Sequence, residues 1–245
     1  MLLCTCSFGQ TRFCAVGWGR EFTHIDPTQG ATSPTRHNLP RYLQALANSP
    51  SGVLYAAQCF DSSYSLLYRL APQTGDTSRC LRLNTDARGM AFSPTGVLYV
   101  IAGTTTMEPT PKRLRIINLG DGTYREIGQL HGDTDQCQGI AFSPDGRLFG
   151  VSPRRHTQGT YALFTIDPDS AVTHMIAQST SCDLSQSLVF APDGSLYAIG
   201  DQFAQLNPVT GVVVGTVFSL SSEYRGLEVI RPGPATAVAR WRQYR

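Results

Sequence analysis

Long polar side chains occur at one recurring position of the sequence, directly in front of short apolar segments. Arg88 precedes GMAF, Gln138 precedes GIAF and Gln186 precedes SLVF. Two further apolar segments carry glutamine or arginine at the matching position, which gives the set Gln44, Arg88, Gln138, Gln186 and Arg225. If the apolar segments lie side by side, these five donors form one ring. Polar groups that converge from separate segments are typical of a ligand-binding site.

Carboxylates stand two or three residues ahead of most members of this ring, at Asp86, Asp135, Asp183 and Glu223. Arg88 and Arg225 could hold an anionic group through their forked guanidinium donors. The carboxylates could instead bind Ca²⁺, which takes about six to eight oxygen ligands. Their offsets differ between segments, so no cofactor is strongly implied and Ca²⁺ is the one candidate. The simplest interpretation is that the polar residues only hydrate an opening and contribute little to folding.

A second candidate region is the C-terminus, where arginine alternates with aromatic residues. These are the residue types enriched at the energetic centres of protein interfaces. The residues concerned are Arg240, Trp241, Arg242, Tyr244 and Arg245. We expect either a tail that docks on a protein partner or a frayed, solvated end. Elsewhere the chain contains no G-x-S-x-G, H-E-x-x-H or phosphate-binding loop, so no catalytic motif is complete.

The elements that must position the ring are repeats. GIAFSPDGRLF begins at Gly139, and close variants begin at Gly89 and Ser187. Four turn glycines follow the same pattern with spacings of 44, 50 and 48 residues, at Gly52, Gly96, Gly146 and Gly194. Periods of this length are typical of propellers and other repeat folds.

Each repeat contains four short apolar runs separated by turns rich in Pro, Gly and Asp. The runs alternate as strands do, and no stretch keeps a helical period over three turns. Four antiparallel strands in about 45 residues describe one blade of a β-propeller. Large residues of the first strand alternate with small ones, so we predict that Phe92, Phe142 and Phe190 belong to the core.

The number of blades depends on the two ends of the chain. RGLEVI, which begins at Arg225, matches the first strand of a repeat but is not followed by the other three. RFCAVG, near the N-terminus, matches the second strand of a repeat. Pairing the two would close a fifth blade and remove an open sheet edge. We therefore predict an all-β, five-bladed propeller over residues 1–234 and a tail over residues 235–245. The alternative is six blades, with the terminal blade incomplete.

The phrases AFSPDGxLY and LYxIDPxTG resemble the repeats of the broad NHL, YVTN and quinoprotein-like group of β-propellers. The resemblance covers almost the whole chain, which lacks the Gly-His and Trp-Asp pairs of WD repeats. That group includes lactonases, lyases and dehydrogenases as well as interaction modules. The resemblance therefore implies a fold and not an activity.

Composition restricts the partners and the compartment. The formal net charge of +2 argues against a general nucleic-acid-binding surface. Lys112 is the only lysine, which indicates a genome biased toward arginine. The 7 cysteines are odd in number and follow no disulfide or zinc spacing, so we expect free thiols in a cytoplasmic or other reducing intracellular compartment. No apolar run approaches the roughly 18 residues of a transmembrane segment.

Two functions remain after these exclusions. Because no catalytic set can be completed, we expect a non-enzymatic binding or scaffold propeller whose partner is a protein, or a subunit of a larger assembly. The alternative is a hydrolase or lactonase-like enzyme, with a small-molecule or Ca²⁺-dependent site at the mouth of the central channel.

Overall fold

The computed structural model gathers the chain into five β-sheets. It describes residues 11–17, 19–31, 35–36, 39–60, 63–103, 111–153, 161–179, 182–215, 217–220 and 224–231. Within these ranges the only helix is a 3₁₀ turn at Gly132–Thr134. Proline and glycine turns separate the strands as the repeats predict, so each sheet is one blade.

The strands are numbered in chain order. Blade I contains β1 (Phe13–Gly17), β2 (Glu21–Asp26), β3 (Gly30–Ala31) and β4 (Thr35–Arg36), together with the last strand of the chain, β21 (Tyr224–Val229). Blade II contains β5 (Leu43–Asn48), β6 (Leu54–Cys59), β7 (Ser65–Leu70) and β8 (Thr77–Leu83). Blade III contains β9 (Gly89–Phe92), β10 (Leu98–Ala102), β11 (Arg113–Ile117) and β12 (Tyr124–Gln129). Blade IV contains β13 (Gly139–Phe142), β14 (Leu148–Pro153), β15 (Tyr161–Ile166) and β16 (Thr173–Ser179). Blade V contains β17 (Ser187–Phe190), β18 (Leu196–Ile199), β19 (Gln202–Leu206) and β20 (Phe218–Ser219).

Both ends of the chain contribute to blade I. Its innermost strand, β21, pairs antiparallel with β1, so that Phe13 lies opposite Val229 and Ala15 lies opposite Leu227. The inner strands β5, β9, β13, β17 and β21 contact one another in a ring. The prediction of a five-bladed propeller is therefore confirmed, and the six-bladed alternative is wrong.

The repeated phrase has a packing explanation. An aromatic residue on the second strand of one blade packs against the phenylalanine that ends the first strand of the next blade. The ring centroids are 5.6 Å apart for Tyr55 and Phe92, 5.2 Å for Tyr99 and Phe142, and 5.0 Å for Phe149 and Phe190. The three phenylalanines also line the central cavity and are only partly buried, which corrects the prediction that they belong to the core.

Small residues allow the inner strands to approach closely where they begin. A Cβ atom added to Gly89 would lie 2.7 Å from the carbonyl oxygen of Gln138. One added to Gly139 would lie 2.6 Å from Cα of Ser187. Farther along the inner strands, the cavity that Phe92, Phe142 and Phe190 line measures about 60 Å³.

Several sequence predictions concern other parts of the chain. The arginine and aromatic residues of positions 240–245, and the boundary at residue 234, lie outside the described residues. In the part of the chain that the structure describes, no helix is long and apolar enough to cross a lipid bilayer. The described cysteines are free thiols, namely Cys14, Cys59, Cys80, Cys137 and Cys182.

Candidate functional site

The five predicted ring residues all lie where the inner strands begin, at one end of the central channel that we call the channel mouth. Arg88, Gln138 and Gln186 each donate the backbone N–H to the second strand of the same blade, over 2.8 to 3.0 Å. Gln44 and Arg225 instead occupy bulges in β5 and β21, where the strand carries one extra residue. A bulge redirects a side chain. Two local structures therefore bring the same repeat position to the mouth.

The ring is much less hydrated than the simplest interpretation expects. Arg88 is 2% exposed, and Gln44 and Gln138 are buried as well. Arg225 and Gln186 are partly buried and joined by a hydrogen bond of 2.8 Å from Nη1 to Oε1. Burial lowers the pKa of Arg88, and the charge of Arg225 lowers it further. The interpretation that these residues only hydrate an opening is wrong for Arg88.

Arg88 forms a buried ion pair with Asp86. Nε of Arg88 donates to Oδ2 of Asp86 over 2.9 Å. Burying two charges costs several kcal/mol of hydration for each ion, so stability alone does not account for such a pair. The other carboxylate oxygen, Oδ1, is buried and has no hydrogen-bond partner among the described residues. A buried acceptor of this kind suits a water molecule or a ligand.

Burial also changes the acidity of Asp86. Desolvation raises the pKa of Asp86 to about 7, although the charges of Lys112 and Arg115 oppose the rise. A carboxylate with a pKa near neutrality can take up and release a proton during a reaction. A strongly perturbed pKa at a channel mouth makes Asp86 a candidate functional residue.

The segment that carries the ion pair is fixed by neighbouring strands. The carbonyl of Ala87 accepts a hydrogen bond from Sγ of Cys59 over 2.6 Å, and the N–H of Ala87 donates to Oγ of Ser65 over 2.9 Å. One residue before the pair, Oγ1 of Thr85 accepts from Nη1 of Arg115 over 2.5 Å. Sequence reasoning missed these supports because their side chains do not follow the repeat. The segment is therefore held in place before any ligand arrives.

Lys112 is the other residue that sequence reasoning did not connect with the site. Its side chain is fully buried, and Nζ donates to the carbonyl of Gly103 over 2.8 Å. Burial and the charge of Arg88 lower the pKa of Lys112 to about 8, although Asp86 opposes the change. The available signal was that Lys112 is the only lysine in the chain.

Two other predicted carboxylates, Asp135 and Asp183, lie in the part of the chain that the structure describes and do not join Asp86 in a metal site. Asp183 accepts hydrogen bonds from N and Oγ of Ser185 over 3.0 and 2.6 Å. The backbone carbonyl of Asp135 accepts the N–H of Lys112 over 2.9 Å, and Glu223 lies outside the described residues. Across the described ranges, no three His, Cys, Asp or Glu side chains are arranged to hold a metal ion. The described carboxylates therefore do not form the Ca²⁺ site that the sequence suggested.

Comparison with known proteins finds likeness in structure and none in sequence. No protein-family model matches the chain, and no curated protein matches it. A periplasmic gluconolactonase of Pseudomonas aeruginosa shares 12% identity over 90% of this chain and 99% of its own, with a TM-score of 0.48. A Bacteroides fragilis protein assigned as a 6-phosphogluconolactonase shares 11% identity over 93% of this chain and 99% of its own, with a TM-score of 0.50. A Bacteroides uniformis protein with the same assignment shares 13% identity over 89% of this chain and 99% of its own, with a TM-score of 0.48.

These comparisons correct three expectations. The prediction of a non-enzymatic scaffold or interaction module is corrected, because a protein of this architecture, at a TM-score of 0.50, is assigned as a 6-phosphogluconolactonase. The prediction of a cytoplasmic or other reducing compartment is corrected as well: one protein with this fold is named as periplasmic, and a likeness in fold places this chain in no particular compartment. The resemblance to NHL and YVTN repeats gave the correct fold, but no family model supports membership of that group.

Proposed function

We propose that this protein is a lactone hydrolase that opens a small polyhydroxylated lactone at the channel mouth. The observation that carries the proposal is the buried pair of Asp86 and Arg88, in which Oδ1 of Asp86 has no partner among the described residues. The reaction class comes from the likeness in fold to a protein assigned as a 6-phosphogluconolactonase. The residues supply the chemistry, because at 11% identity only the fold is shared.

The substrate binds at the mouth and does not enter the channel. Ligand pockets usually measure about 300–1,000 Å³, whereas the cavity between the inner strands measures about 60 Å³. Gln186 and Arg225 are only partly buried, so their side chains can reach a ligand. Amide and guanidinium groups are suitable donors for the hydroxyl and carbonyl oxygens of a sugar lactone.

Asp86 is the base of the reaction. Its carboxylate removes a proton from a water molecule while the water oxygen attacks the lactone carbonyl carbon. The ring C–O bond then breaks and the ring oxygen is protonated, so one water is consumed and one hydroxy acid forms. A pKa near 7 suits this role, because the group is ionised above neutral pH and still basic enough to accept the proton.

Positive charge at the mouth stabilises the transition state. Attack of water places negative charge on the carbonyl oxygen, and donors fixed in a dry site stabilise such charge more than water does. The charge of Arg225 acts on Arg88, the charge of Arg88 acts on Lys112, and the charge of Lys112 acts on the carboxylate of Asp86. We assign the carbonyl oxygen to Arg225, which is partly exposed and held by Gln186.

The test is a lactone-opening assay with the purified full chain. Acid release from gluconolactone and from its 6-phosphorylated form is followed with a pH indicator. We expect the wild-type protein to open the lactone faster than the spontaneous reaction does. We expect the Arg225→Gln variant to open it more slowly than the wild-type protein. Arg147→Gln is the matched control, because Arg147 is exposed and its ion pair is with a neighbouring turn residue, Asp145. A rate equal to the spontaneous one for neutral and phosphorylated lactones would overturn the proposal.

A further inference from the structure

An exposed aromatic surface lies on blade II at the channel mouth. Tyr42 directly precedes β5, which begins at the mouth, and Phe60 directly follows β6, which runs antiparallel to β5 and ends there. The two residues are 43% and 37% exposed. Tyr64, just before β7, is partly buried, and its ring centroid lies 5.4 Å from that of Phe60. We call Tyr42, Phe60 and Tyr64 the aromatic platform.

Cys59 joins the platform to the segment that carries the buried ion pair. Its backbone N–H donates to the carbonyl of Tyr42 over 3.1 Å. Its Sγ donates to the carbonyl of Ala87 over 2.6 Å, and Ala87 lies between Asp86 and Arg88 in the sequence. The platform is therefore adjacent to the ion pair, on the blade II side of the mouth. It also lies closer to solvent, because the side chains of the pair are only 1% and 5% exposed.

The backbone of Tyr42 is held in a conformation that a tyrosine rarely adopts. Its φ of 63° lies in the left-handed region, which is unfavourable for a bulky side chain. The end of β6 fixes this conformation through the bond from Cys59 to the carbonyl of Tyr42. Nε2 of Gln58 donates to the carbonyl of Arg41 over 2.8 Å, and Oε1 of Gln58 accepts from the hydroxyl of Tyr68 over 2.9 Å. Strained residues that neighbouring contacts fix in this way are concentrated at ligand sites.

The platform matches the surface of a sugar ring. The face of an aromatic ring is electronegative, so it attracts the C–H groups that cover one face of a sugar. Arg82 supplies the polar part of the site, because it is exposed and its guanidinium carbon lies 4.6 Å from the centroid of the Tyr64 ring. Guanidinium groups donate hydrogen bonds to hydroxyl oxygens. Aromatic walls with a few polar donors are typical of small-molecule sites.

We propose that the aromatic platform binds a sugar ring attached to the lactone, an inference that rests on the proposed function. The lactone lies over the ion pair, and its substituent extends toward solvent, where the platform is. The substituent takes no part in bond breaking, so its contacts with the platform strengthen binding and leave the chemistry to Asp86. The substrate class is therefore lactones of disaccharides rather than lactones of single sugars.

Binding of a disaccharide that has no lactone group measures the platform without turnover. The purified full chain is titrated calorimetrically with cellobiose and with maltose. We expect the Kd to rise about five- to tenfold in Tyr42→Asn and in Phe60→Ala, the usual effect of losing one aromatic contact. Asparagine tolerates a left-handed backbone, so the first variant keeps the fold.

Leu119→Ala is the matched control for this titration. Leu119 is 38% exposed in the turn between β11 and β12, at the end of its blade opposite the mouth, so this variant should bind as the wild-type protein does. No binding of either disaccharide by the wild-type protein would overturn the inference. Unchanged binding in both platform variants would overturn it as well.

Kinetics with two lactones separate this inference from the proposed function. We expect the wild-type protein to open the lactone of the tighter-binding disaccharide with a lower KM than gluconolactone and a similar kcat, and both platform variants to reduce this difference. Equal KM values for the two lactones in the wild-type protein would overturn the inference and leave the lactonase proposal intact. If no lactone is opened, the proposed function is wrong, whereas weaker disaccharide binding by Tyr42→Asn and Phe60→Ala would still support a sugar-binding platform.

Discussion

Nε of Arg88 donates to Oδ2 of Asp86 over 2.9 Å, and the two side chains are 1% and 5% exposed. A pair this deeply buried gains Coulomb energy but loses the hydration of both charges, so its net contribution to stability is small. Removal of one partner has a larger effect, because the other charge is then buried without compensation. The pair therefore affects the free energy of unfolding and the rate of lactone opening in different ways. The two effects can be measured separately.

The first prediction concerns the folding side of this pair. Arg88→Ala should lower the free energy of unfolding by about 3–5 kcal/mol above neutral pH, where the unpaired Asp86 is ionised. Urea-induced unfolding is the measurement. Arg147→Ala is the control, because Arg147 also lies 2.9 Å from its partner, Asp145, but these side chains are 56% and 61% exposed. The control should change stability by less than about 1 kcal/mol. Equal small effects would contradict the burial of the Arg88 pair.

A second prediction tests the crowding of the inner strands. Gly139→Ala should destabilise the protein by about 1–3 kcal/mol, because the new Cβ would meet Cα of Ser187 in the next blade. Gly120→Ala is the control variant. Gly120 lies in an exposed turn, and the atom nearest to a Cβ added there is Oδ1 of Asn118, at 3.2 Å. Thermal melting of both variants gives the comparison. Equal melting temperatures of the two variants would contradict this crowding.

A third prediction concerns the aromatic contact between blades. Tyr99 and Phe142 lie 5.2 Å apart in an edge-on arrangement, so a double-mutant cycle to alanine should give a coupling of about 0.5–1.5 kcal/mol. The same cycle with Tyr99 and Phe190, which packs on Phe149 at the next blade interface, should be additive within about 0.5 kcal/mol. Additive effects for both pairs would show that the repeated aromatic residues act independently.

The propeller itself could be predicted because its determinants are local and repeated. The turn glycines Gly96, Gly146 and Gly194 have φ values of 88°, 87° and 85°, a conformation that glycine adopts at little cost. Each glycine therefore marks a turn between two strands, and the period between turns gives the blade. The place of Arg88 and its counterparts follows from the same period, since a residue directly before an inner strand lies at the channel mouth.

The burial and electrostatics of the site could not be predicted in the same way. Asp86 is one of four similar loop carboxylates, and it differs from the others through its burial and its electrostatic interactions with Cys59 and Lys112. Cys59 ends β6 of the preceding blade, and Lys112 lies between β10 and β11 in a connection whose sequence is not repeated. Tertiary packing brings these groups together, so an alignment of repeats contains no sign of them.

A fourth prediction follows from the perturbed acidity of Asp86. Asp86 must be deprotonated, so kcat/KM should rise as pH passes its pKa of about 7. Initial rates across neutral pH are the measurement, with melting temperatures recorded in the same buffers. A kcat/KM that does not change through this range in a fully folded protein would contradict the role of Asp86.

The most direct test of the central claim is the initial rate of lactone opening by Asp86→Asn above neutral pH. Asparagine can still accept the hydrogen bond from Arg88, and circular dichroism verifies that the variant is folded. We predict a kcat lower than wild type by about 10²–10⁴-fold, the usual effect of losing a general base. Asp76→Asn, in an exposed turn, should keep the wild-type rate. A folded Asp86→Asn protein that opens lactones as fast as wild type would contradict the assignment of Asp86 as the base.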